Sequence, residues 1–146
     1  MAITSVIRRN LERSFDLYAE LAASLNGERL SSGLPNLPSN TIGQQLWCVV
    51  GARESYARAI QAGAWTGFAC SLASADDPAA VREALSRSRA EVARVVAGID
   101  RFTDAQSQLV CDLLEHEAAH HGQLIRYLYA LRIDVPSGWK ARYALD

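Results

Sequence analysis

Histidine and cysteine are scarce in this chain of 146 residues, with three of each, and only four prolines interrupt it. The cysteines, Cys48, Cys70 and Cys111, are odd in number and far apart, which excludes a disulfide framework and makes a reducing cytoplasm the expected location. No excess of one charge is present. Fifteen Lys and Arg stand against 16 Asp and Glu, a net charge of −1, so the basic stripe of a nucleic-acid binder is missing. No apolar run reaches the roughly 20 residues that span a bilayer. The opening "MAITSVIRRNLERSFDLYAEL" carries charge throughout and lacks the unbroken apolar core of a signal peptide. Alternating strand patterns, internal repeats and low-complexity tracts are also absent.

What is present is apolar residue at helical spacing. Hydrophobic residues make up 49% of the chain, enough for residues 1–146 to form one domain whose core needs no disulfide or metal. A first helix is predicted from Thr4 to Leu25, with Ile7, Leu11, Phe15, Tyr18 and Leu21 on one stripe and a C-cap at Asn26-Gly27. A long connector, "GERLSSGLPNLPSN", follows. A second helix starts at Ser39 or Asn40, carries Ile42, Leu46, Val49, Arg53, Tyr56 and Ile60 along one face, and ends at Gly63. Trp65, Phe68 and Leu72 in the next loop need cover, so that loop should fold back. Asp77-Pro78 opens a third helix. Thr103 and Gln106 fit a capping box for a fourth, which reaches about Arg132. The expected fold is all-α, a four-helix bundle with a long connector between helices 1 and 2.

The fourth helix holds all three histidines in "HEAAHHGQ". His116 and His120 leave one face one turn apart, the spacing with which a helix offers two nitrogens to one metal. They interrupt a stripe of Leu109, Leu113, Leu124, Tyr127 and Leu131, so the alternative is a pair of buried, hydrogen-bonded core histidines. His121 lies about 100° further round, in line with Glu117, either paired with it on the flank or lining the mouth of the site. H-E-x-x-H is also a protease signature, but such enzymes take a third ligand downstream. Here no histidine follows His121 and only Asp134 and Asp146 remain as acids, which disfavours that reading. A further ligand must come from another helix. Cys48 is a capable donor on the second, or else a small buried hydrophobe. Gln45 lies nearer the centre of its face but is a weak ligand for zinc.

"HEAAHHGQLIRYLYALRIDVPSGWKARYAL", together with "TIGQQLWCVVGARES" on the second helix, resembles the DinB superfamily, the DinB-like and YfiT-like metal-dependent proteins. The resemblance spans nearly the whole chain. It implies a bundle with three ligands from two helices and an open metal position. The family's helical ligand pair falls on His116 and His120, and its first ligand position on Cys48, where the usual histidine is absent. Gly122 would admit a neighbouring helix and Gln123 would buttress a ligand ring. The resemblance also implies a homodimer, a divalent metal (zinc or nickel) and a low-molecular-weight thiol in a transferase or hydrolase acting on a small molecule. Arg53 and Tyr56 would then orient an anionic substrate, with an ion pair or plain helix surface as the alternative. The competing reading is a non-catalytic dimeric binding protein with a degenerate metal site.

Overall fold

The computed structural model describes residues 3–146 and is all-helical. Its helices are α1 (Ile3–Ala23), α2 (Gly27–Leu30), α3 (Ile42–Ala62), α4 (Pro78–Ala97), α5 (Asp104–Ala130) and α6 (Ser137–Tyr143). No described helix is long and apolar enough to cross a membrane.

Local chemistry sets the ends of these helices. Asp77 accepts from the amides of Ala79 and Ala80, and Pro78 occupies the first turn, as the sequence indicates. Thr103 and Gln106 form the expected reciprocal capping box on α5. α3 has its own capping box, at Thr41 and Gln44, one residue beyond the expected caps Ser39 and Asn40. The Asn40 side chain is engaged instead by Gln45 and Tyr127. Asn26 also differs from expectation. It caps the N-terminus of the short α2, accepting from the Arg29 amide at 2.9 Å, instead of closing α1. Gly63, at φ 76°, terminates α3 in the left-handed conformation that glycine adopts without strain.

α3 packs against α4 and α5, and α1 packs against the same two; α2 rests on α3 and α6 on α1. The core is divided. Leu17, Tyr18, Leu46, Val49, Leu85, Leu124 and Trp139 belong to one apolar cluster. Phe15, Ile60, Val92, Val110 and Leu113 belong to another. Each long helix supplies buried polar residues: Ser14 from α1, Gln45, Arg53 and Ser55 from α3, Ser88 from α4, and Glu117, His120 and His121 from α5.

α6 has no counterpart in the expected elements, because Pro136 reads as the end of the fourth helix. Its anchor is Trp139, fully buried, whose indole N–H donates to the Leu17 carbonyl at 2.7 Å. The loop after α3 does fold back. The Ser55 hydroxyl brackets Ala69, and the Glu54 carboxylate receives the Ser71 amide and hydroxyl. Leu72 is covered, but Trp65 and Phe68 are not: they lean on Tyr56 and Trp47 with ring centroids 5.1 and 5.3 Å apart and stay about half exposed.

Gly43 marks the closest backbone approach. A Cβ there would lie 2.1 Å from the Ala75 carbonyl oxygen. On an open helix surface Gly→Ala gains up to about 1 kcal/mol from propensity. Here Gly43→Ala must displace backbone, so a loss of about 1–3 kcal/mol is expected in urea unfolding.

Candidate metal centre

α3 and α5 lie side by side, and each presents donors at the edge of the core. Cys48 and Gln45 come from α3, His116 and His120 from α5. The two imidazoles, one helical turn apart, have ring centroids 4.6 Å from each other. Cys48 Sγ lies 3.6 Å from His116 Nε2. One ligand atom from each of Cys48, His116 and His120 falls within 4.8 Å of the others, so this group could hold a metal ion. Ligands at tetrahedral zinc distances sit roughly 3.5 Å apart, so the set must draw closer to hold one ion.

Gln45 contacts one nitrogen of His120. The Tyr127 hydroxyl lies against both the backbone carbonyl and the side-chain oxygen of Asn40, and Gln45 Nε2 donates to that side-chain oxygen at 3.0 Å. Gln45 Oε1 is then in contact with His120 Nδ1. An amide oxygen only accepts, so in this orientation Nδ1 carries the proton and Nε2 keeps its lone pair. Outer-shell carbonyls hold metal-binding histidines in this tautomer. At His116, Nε2 faces the thiol, and Nδ1 is buried without a hydrogen-bond partner. A buried nitrogen left unsatisfied costs roughly 1–3 kcal/mol.

The electrostatics suit ligation. Burial, with His116 as a second cause, lowers His120 to about 4, and burial also lowers His116. Both rings are thus neutral near pH 7 and able to donate lone pairs. Burial raises the Cys48 thiol, so without metal it stays protonated, and metal binding would release that proton.

Other expected site residues lie elsewhere. Arg53 does not reach out to an anionic substrate. It is buried, with Nε and Nη2 on the two Glu117 carboxylate oxygens at 2.6 and 3.1 Å and Nη1 on the Leu85 carbonyl. Glu117 is fully buried and also accepts from Ser14 Oγ at 2.6 Å. His121 neither flanks the helix surface nor lines the mouth of the donor cluster. It is buried against α1 and α6, with Nε2 2.9 Å from Ser14 Oγ and Nδ1 2.5 Å from the Tyr143 hydroxyl. Because the Ser14 proton goes to Glu117, His121 Nε2–H donates to Ser14, and this serine is not set up as a nucleophile. Tyr56 lies along α3 against Trp65. Gln123 is exposed, and Gln45 makes the ring contact expected of it. Gly122 admits no neighbour: a Cβ there would meet nothing within 4 Å.

No family model, no curated protein and no solved structure matches this chain.

The roles of Asn40, Ser14 and Glu117 are not evident from the sequence. Tyr127 sits two turns after His120 with Asn40 before the capping box, but nothing in spacing alone joins them. Glu117, four residues before His121, could equally have been an exposed pair.

Two predictions follow from the buried groups. Removing one partner of a buried ion pair costs about 3–5 kcal/mol. Glu117→Gln or Arg53→Met should show a loss of that order in urea unfolding, and Arg53→Met/Glu117→Leu together should lose less than either alone. The second concerns acid. Burial holds His121 near 4 in the folded chain against an ordinary 6.5. Between these values the unfolded chain binds more protons, so stability is complete above about pH 6.5 and declines as pH falls toward 4. His120 acts in the same direction. The urea midpoint, followed from pH 7 to 4.5 with chelator present, should decline less steeply in His121→Gln than in wild type.

Proposed function

We propose that the four long helices form a DinB-like four-helix bundle and that Cys48, His116 and His120 bind one zinc or nickel ion in a metal-dependent enzyme acting on a small molecule. The observation that carries this reading is the convergence of three donors from two helices, with Gln45 against the His120 ring. Two imidazoles and a thiolate are a suitable zinc set. Three protein donors leave a fourth position for water or a low-molecular-weight thiol, whose pKa a bound divalent metal would lower. In this reading Cys48 supplies the negative charge, Gln45 and Asn40 orient His120, and the Arg53–Glu117 pair holds α3 and α5 in register. Transfer or hydrolysis at a small electrophile is the reaction class, and a homodimer is the expected assembly.

A non-catalytic helical binding protein is the second reading. The partly exposed Trp47, Trp65 and Phe68 favour it, since they offer apolar surface to a partner.

Metal analysis separates the two. Protein purified without added metal should carry close to one equivalent of zinc or nickel per chain. His116→Ala/His120→Ala should lose it, Cys48→Ser should bind at least tenfold more weakly, and Cys48→His should retain it. A wild type that is metal-free and resists loading would overturn the metal reading. If metal binds, a screen of electrophiles with glutathione, bacillithiol and mycothiol tests the reaction class.

A further inference from the structure

Two adjoining apolar spaces lie away from the donor cluster. A cavity of about 200 Å³ opens between the start of α1, the α4–α5 connection and α5, lined by Ile3, Ile7, Val96, Phe102, Val110 and Cys111 with Thr4 and Ser107. A second, of about 280 Å³, lies between α1 and α4, lined by Leu11, Phe15, Val92, Val96 and Ala97 with Glu12. Arg8 and Val96 border both, so the two adjoin. Together they fall within the range of small-molecule sites, roughly 300–1,000 Å³, and exceed the small voids of a packed core.

Charge selects the occupant. Among the described residues, Arg8 is the one charged residue lining the first cavity. Its hydrogen bond goes to the Val96 carbonyl at 3.0 Å, in the last turn of α4. Among the described residues it has no carboxylate within ion-pair distance. Glu12, the acid of the second cavity, is already paired with Arg89 at 2.6 Å. A guanidinium has five donors in a planar fork, so one bond to a carbonyl leaves an edge that fits a carboxylate.

We propose that this double cavity binds a small amphipathic carboxylate, with its alkyl chain among Ile7, Val96, Phe102 and Val110 and its head group on Arg8. The site is separate from the three-donor cluster and does not depend on metal.

Calorimetric titration of the full chain with straight-chain carboxylates tests it. Affinity should rise about fourfold per added methylene from butanoate to octanoate, the increment expected for a buried CH₂. Arg8→Gln should weaken octanoate about tenfold and leave 1-octanol unchanged. Thr4→Trp, a substitution at an exposed helical position on the rim, should block both ligands without unfolding the chain. Octanoate that binds no tighter than butanoate, or equally well to wild type and Arg8→Gln, would overturn the proposal. So would octyltrimethylammonium binding as tightly as octanoate.

Discussion

The Arg53–Glu117 ion pair is the constraint around which the other parts are arranged. It lies between two apolar clusters, with both side chains essentially removed from solvent. Such a pair recovers its desolvation cost only when the remaining donors and acceptors are also satisfied. Here they are. The guanidinium reaches Leu85 on α4, and the carboxylate accepts from Ser14 on α1. Its face is covered by rings, with Arg53 4.5 Å from the Phe15 centroid and 5.1 Å from that of Tyr18. Four helices therefore meet at one polar layer, and sliding any of them by a residue would leave a buried charge or hydroxyl unpaired. Apolar packing alone tolerates such shifts far better.

The same layer accounts for the two faces of α5. With Glu117 pointing inward, His121 one turn on faces α1 and α6, where Trp139 and Tyr143 enclose it. His116, one residue earlier, is rotated by about 100° toward the edge, and His120 turns toward α3. "HEAAHHGQ" therefore divides its glutamate and histidines between a buried brace, Glu117 and His121, and a donor pair, half-buried His116 and buried His120. The glutamate of the protease-like pattern belongs to the brace.

Much of this was legible in sequence because it is local. Asp77-Pro78, Thr103 with Gln106, and Gly63 act within one turn of themselves, and the His116–His120 spacing is a property of one helix. What was not legible depends on partners distant in the chain. Arg53 on an apolar stripe looked like an exception reaching outward, because its partner is 64 residues away. Gln123 was placed beside a ring by resemblance, whereas Gln45 occupies that role through contacts with Asn40 and His120. Gly122 looked like a close-contact glycine and Gly43 did not. The difference lies in where the connector carrying Ala75 passes, which no helical periodicity encodes.

The charges along the donor groove bear on what it would attract. No Lys or Arg occurs between Thr41 and Ala52 on α3 or between Asp104 and Ile125 on α5. Asp112 lies one turn before His116, and both Asp112 and Glu115 are near enough to α3 to raise Tyr56 alongside burial. A divalent cation entering between the helices therefore meets neutral imidazoles, a thiol able to ionise, and flanking carboxylates. An anionic substrate meets no comparable help, because Arg53 is closed within the core by Glu117. The brace that sets the register of the donor helices thus also withdraws the cation nearest to them in sequence, leaving any metal bound there as the principal positive charge.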